Sequence, residues 1–202
     1  MTPTFSRRFL LAVPLIGLAA CAGTFGSYAH EDAVRRLLRI SSERAFARLL
    51  QDDGFAAAEL MSEAVPEGAR ERLRRQVAYA AGAAARVAVP AVRESIRDIA
   101  IIDAAAIVRG SPTAATEMLR QVMGEALFTA LAPEIGNALR AGDAASVDQV
   151  LADADGINFE GLRLEVARRT SDAIYRAIGE EEAAIRADPR SVRDFVLRSS
   201  LP

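Results

Sequence analysis

The sequence has no lysine and no tryptophan, one cysteine (Cys21), one histidine (His30), and aromatic residues at only 5% of its 202 positions. Each shortage removes a class of chemistry. A single cysteine cannot close an internal disulfide or complete a zinc cage. A single histidine rules out a two-histidine metal site, and few aromatics leave little surface on which a sugar could stack. A formal net charge of -2 is too small to grip nucleic acid by charge alone. What is present is 51% hydrophobic and 26% charged, the make-up of an ordinary folded domain. All 25 basic residues are arginine, and alanine makes up about a fifth of the chain.

The N-terminus carries Arg7 and Arg8, an apolar run from Phe9 to Ala20, and then Cys21. A basic start, a short apolar stretch and small residues before a cut site form a secretory signal, here residues 1–20. The run is shorter than the roughly 20 residues a membrane-spanning helix needs. Leu18-Ala19-Ala20-Cys21 looks like a bacterial lipobox. Its chemistry is simple: the cysteine sulfur accepts a diacylglycerol group, and the small residues give the signal peptidase access to the bond before it. Each buried acyl methylene contributes about 0.8 kcal/mol, so two or three chains make a stable anchor. These residues predict a palmitate-type lipoprotein held in the bacterial cell envelope and facing the periplasm. Ala22 rather than Asp after the cysteine favours the outer membrane by the enterobacterial sorting rule. Ser6-Arg7-Arg8-Phe9-Leu10 also resembles a twin-arginine export signal; an ordinary basic start reads the same way, and both routes stay open. Residues 21–30 read as a lipidated tether, extended at ~3.3 Å per residue and reaching about 30 Å at most.

Residues 31–202 read as one all-α domain, compact and multi-helical. Val34, Leu37, Leu38, Ala45, Phe46, Leu49 and Leu50 recur at helical spacing. Leu73, Val77, Ala80, Ala84 and Val87 form a second, small-residue seam, with Arg72, Arg75, Tyr79 and Arg86 opposite. Pro90 predicts a break and then a short helix. Asp103 caps a single short helix that Arg109 and Gly110 end. Ser111-Pro112 predicts the cap and first position of the next helix, whose wide apolar face takes in Met118, Val122 and Ala126. Pro133 predicts a kink or restart, Asn158 a cap, and Phe159–Ala187 a last long helix. Pro189 opens a final short one.

The tail Ala177-Ile178-Gly179-Glu180-Glu181-Glu182-Ala183-Ala184-Ile185-Arg186-Ala187-Asp188-Pro189 resembles the closing signature of the bacterial lipoprotein family called domain of unknown function 4197. Ile102-Asp103-Ala104 with Ile107-Val108-Arg109-Gly110 is similar to an upstream segment of that family. Ala114-Ala115-Thr116 is similar to its Ala-Ala-Thr, and Leu131-Ala132-Pro133-Glu134-Ile135 to its Pro-Ile-Ile region. The chain departs from the family pattern at Met61–Pro66 and at Tyr79–Gly82. The family has no established activity, so the resemblance implies no catalytic residue.

Asp103, Thr116, Glu181, Glu182, Arg186 and Asp188 form the candidate polar cluster. Glu182 and Arg186 stand four apart in the favourable helical order, and Asp188 can cap the short helix that Pro189 opens. The cluster has two readings, a ligand-binding carboxylate–arginine group or a salt bridge with a cap that fixes the C-terminal corner. Asp153–Asn158 is spaced like a calcium loop but has leucine at both terminal ligand positions, Leu151 and Leu162. Glu94-Ser95 lacks the surroundings of a transglycosylase pair. Arg70, Arg72, Arg74 and Arg75 read as a solvated face balanced by Glu67 and Glu71, with anionic headgroups as the functional alternative.

Two functions are expected from these residues. The first is a non-catalytic, lipid-anchored helical module that binds an unknown envelope protein or an apolar ligand. It needs no cofactor, metal or nucleic acid. The alternative is a periplasmic hydrolase using a carboxylate pair drawn from Asp103, Glu181 and Glu182, two of which must then converge in one pocket.

Overall fold

Long apolar patterns with three- and four-residue spacing, separated by short breaks, dictate helices that must bury one stripe against each other. The computed structural model describes residues 22–51, 54–61, 67–142, 144–152 and 158–201. Among these residues there is no strand, and the chain is all-α. The long helices are α1 (Ala22–Leu49), α2 (Glu67–Asp98), α4 (Ala114–Ala141) and α6 (Phe159–Ala187). Three short helices complete it: α3 (Ala104–Val108), α5 (Ala144–Ala152) and α7 (Phe195–Ser200). No helix among the described residues is long and apolar enough to cross a membrane.

The four long helices form a ring in which α1 packs on α2, α2 on α4, α4 on α6, and α6 back on α1. Neighbours run antiparallel. The first half of α1 meets the end of α2, where Arg35 donates to the carbonyls of Ile96 and Arg97. Gln76, early in α2, donates to the carbonyl of Leu139, late in α4. Thr116, early in α4, reaches Glu182, late in α6. The result is an up-down-up-down bundle, with α3 and α7 closing the end where α4 starts and α6 stops.

The central helix α4 buries Ala115, Leu119, Met123, Leu127, Leu131, Ile135 and Leu139, a strict four-residue repeat. Four residues turn a helix by about 400°, so this ridge advances some 40° per step and winds around the helix. That winding lets α4 hand its buried face from one partner to the next, and it leaves Val122 60% exposed where a fixed apolar face predicts burial. Val87 is likewise exposed on α2, its place in the seam taken by Ala85 and Ala88. Close approach has its own residue. A Cβ on Gly179 of α6 would stand 3.2 Å from the Thr113 methyl carbon, tighter than ordinary contact.

Four sequence expectations are corrected. Pro90 does not break α2, and α4 does not restart at Pro133; both prolines lie on exposed faces inside their helices. Each ring removes one hydrogen bond, but the carbonyl it frees faces solvent, and the helix on either side is held by packing. The segment expected as an extended tether is helical from Ala22 onward. Its two glycines weaken a helix without forbidding one, and the packed turns of α1 propagate into it. Its nine residues therefore rise about 14 Å rather than 30 Å. The Ser111-Pro112 cap is also displaced: α4 starts at Ala114, with Thr113 at the cap position making no side-chain cap bond.

Candidate functional site

The cap that α4 lacks locally comes from 66 residues away. Glu182 is fully buried. Its Oε1 accepts from the Ala115 amide at 3.0 Å, and its Oε2 from the Thr116 amide at 2.7 Å and the Thr116 hydroxyl at 2.6 Å. The helix N-terminus carries partial positive charge on these open N–H groups, so a carboxylate is the natural partner. Arg186, one turn on, donates from Nε to Glu182 Oε1 at 2.9 Å. Its other nitrogens donate to the carbonyls of Val108 at 2.7 Å and Ile107 at 3.0 Å, which end α3. One ion pair thus stitches the end of α3, the start of α4 and the end of α6. Both Glu182 oxygens and all three Arg186 nitrogens are engaged inside the protein, which makes the pair a clasp.

Of the six residues in the candidate polar cluster, the structure brings together Thr116, Glu182 and Arg186. The other three serve elsewhere. Asp103 accepts from the Ala106 amide at 3.0 Å and caps α3. Asp188 accepts from the Arg190 amide at 3.1 Å and caps the 3₁₀ turn Pro189–Ser191. Glu181 faces Arg48 of α1 at 3.5 Å, beside the Arg48–Glu180 pair at 2.6 Å. Asp103, Glu181 and Glu182 are therefore committed to three different partners and do not converge on one pocket. Asn158 caps α6 as expected, accepting from the Gly161 amide at 2.7 Å. The calcium-like stretch 153–157 and Cys21 lie outside the described residues. In the basic run, Arg70 pairs with Glu67 and Arg74 with Glu71, as a solvated face would. Among the described residues, no group of three or more His, Cys, Asp or Glu side chains could hold a metal ion.

Several hollows open among the described residues. One, of about 350 Å³, follows the α4–α6 groove past Thr113, Arg120, Tyr175 and Gly179. Tyr175 is 3% exposed and its hydroxyl has no hydrogen-bond partner among the described residues. Burial pushes its pKa up to about 12, with Arg120 pulling the other way. Arg120 stands over the ring at 5.5 Å, and Arg168 over Phe128 and Arg140 over Phe159 repeat the arrangement along the same interface.

Another, about 560 Å³, is a cleft between α1 and α2. Arg35, Arg36 and Arg39 come from α1, Arg93 and Arg97 from α2, and Pro90 and Ile96 supply apolar lining. Only three carboxylates join them: Asp32, Glu43 and Glu94. Arg36 is held by Asp32 at 2.7 Å and Asp194 at 2.9 Å, which raises its pKa, Asp32 contributing most. Arg97 is held by Asp98 at 2.8 Å and Glu94 at 3.3 Å. Sequence reading misses this cleft. Its only signal is the four-residue spacing of Arg35 with Arg39 and of Arg93 with Arg97, and nothing local says that the two stripes face each other.

No curated protein and no solved structure matches the chain. Residues 25–200 match the family described as "Protein of unknown function (DUF4197)", a span that covers the four long helices apart from the first three residues of α1, the clasp and the α1–α2 cleft. The chain belongs to that family.

Proposed function

We propose that this chain is a lipid-anchored protein of the bacterial envelope, facing the periplasm from the outer membrane, and that its bundle is a non-catalytic binding or structural module. The observation that carries the second half is a contrast. The carboxylates available for hydrolysis are tied into caps and ion pairs, whereas the α1–α2 cleft keeps Arg39 only loosely paired and Arg93 without an ion pair among the described residues, around an open volume of about 560 Å³. That volume is within the range of small-molecule sites, roughly 300–1,000 Å³. The first half rests on Leu18-Ala19-Ala20-Cys21, and the chain is already helical at Ala22, the residue after that cysteine. A helix fused to the anchor would hold the bundle at a set distance from the bilayer.

Two experiments test the proposal. Cys21→Ser should abolish labelling by a palmitate analogue and release the protein from the detergent phase; labelling that persists would remove the anchor. Crosslinking in intact envelopes and then purification should recover a bound lipid or an envelope protein. Recovery of nothing above the background of an unrelated lipoprotein would count against a binding module.

A further inference from the structure

Five arginines line the α1–α2 cleft, and their partners hold some of them far more firmly than others. The difference is local. Arg36 and Arg97 are held at hydrogen-bond distance by carboxylates, and Arg35 by the carbonyls that end α2. Arg39 has only loose neighbours, Glu43 at 3.8 Å and Asp194 at 4.0 Å. Arg93 has no hydrogen bond or ion pair among the described residues. Arg39 and Arg93 thus line one cleft from α1 and α2, Arg39 loosely paired and Arg93 with its donors open, and an anion between them would draw on both. A guanidinium presents a planar fork of N–H donors that fits the oxygens of phosphate and carboxylate, and two forks favour the ligand with more oxygens. Between them lie Pro90 and the largely buried Ile96, and more of the cleft's wall is apolar than polar. A bare inorganic anion would leave that part of the cleft unfilled.

We infer that this cleft binds a phosphate-bearing amphiphile, with the phosphate between Arg39 and Arg93 and the alkyl chain along Pro90 and Ile96. The inference rests on the reading of the bundle as a binding module and names its ligand class. Arg39 lies 17 residues beyond the start of α1, about 25 Å along the helix. The source is therefore either a single amphiphile that has left the bilayer or a bilayer lipid reached by a tilted bundle.

The test uses the full chain carrying Cys21→Ser, so that its own acyl groups do not compete. Octyl phosphate below its micelle concentration should bind saturably, at least about tenfold more tightly than inorganic phosphate. Arg39→Gln with Arg93→Gln should weaken that binding by about tenfold or more. Arg74→Gln with Arg75→Gln, an equal loss of charge elsewhere on α2, should leave it unchanged. Circular dichroism of both double variants establishes that each is folded. Phosphatidylglycerol vesicles separate the sources: binding that Arg39→Gln/Arg93→Gln abolishes identifies a bilayer lipid, and binding of the monomeric amphiphile alone identifies a free one. Equal affinity for inorganic and octyl phosphate, equal losses in both double variants, or no binding of any probe would overturn the inference. If envelope crosslinking still captures a different ligand in that event, the binding-module reading stands and only the ligand class falls.

Discussion

Removing the Glu182 side chain tests the clasp most directly. In Glu182→Ala, the Ala115 amide, the Thr116 amide and the Thr116 hydroxyl lose their acceptor, and Arg186 keeps its charge in a site where its side chain is only 11% exposed. Breaking a buried ion pair by deleting one partner costs about 3–5 kcal/mol, because the survivor stays desolvated and unpaired. The orphaned donors act in the same direction, since each unsatisfied buried group costs about 1–3 kcal/mol. The lower figure is still a large share of the 5–15 kcal/mol that stabilises a typical domain. In a chain of this size each kcal/mol moves the midpoint by about 2–4 °C, so Glu182→Ala should melt about 10 °C or more below the parent. Thermal unfolding monitored by circular dichroism at 222 nm measures it. Glu182→Gln should fall between, since it keeps one acceptor but turns an NH₂ group toward donors. The signature that separates a clasp from mere packing is non-additivity. Glu182→Met with Arg186→Met should be less destabilised than the two single changes summed, because neither charge is then left alone. A Glu182→Ala melting point within 3 °C of the parent, or strict additivity in the double variant, would refute the reasoning.

Three further outcomes are expected. Tyr175→Phe removes a buried hydroxyl that has no partner among the described residues and keeps the ring beneath Arg120, so stability in urea should rise by up to about 1 kcal/mol. The tyrosine whose pKa is pushed up to about 12 should disappear from the alkaline absorbance titration in the same variant. Because burial holds Tyr175 protonated in the folded state, unfolding releases a proton, and the parent should lose stability from about pH 10 toward pH 12. Asp194 is shifted the other way: the Leu197 amide holds its carboxyl below the usual range, with Arg36 helping. Its contribution is present above about pH 4 and lost as pH falls through the folded value. Asp194→Asn should therefore lower stability at pH 7 and flatten the acid limb, and the slope that remains should reflect Asp98 and Glu160, which Arg97 and Arg163 hold down in the same way. Pro90→Ala restores an amide to the middle of α2 and should raise stability by about 1–3 kcal/mol, measured by urea denaturation. An unchanged or lowered midpoint would mean that the ring's own contacts outweigh the missing hydrogen bond.

The sequence by itself determined the helical class, the two outer boundaries of α6 and the caps at Asp103 and Asn158. These are local properties: a carboxylate or amide three residues from an open amide, and apolar residues that return every turn. It also marked Thr116, Glu182 and Arg186, through the i,i+4 spacing and through the segments that resemble the family. What those residues do was decided by tertiary structure, because the cap of α4 is supplied from α6 and no window of neighbouring residues contains both. The same limit explains the prolines. Whether Pro90 or Pro133 ends a helix depends on whether the carbonyl it frees meets solvent, and the bundle alone fixes that. Val122 and Val87 failed as core positions for a related reason, since a winding ridge has no single buried face to extrapolate. The cleft between α1 and α2 is the extreme case. Arg39 and Arg93 lie 54 positions apart, each an ordinary arginine on an exposed stripe, and they acquire a shared ligand chemistry only because two antiparallel helices bring them to the walls of one hollow.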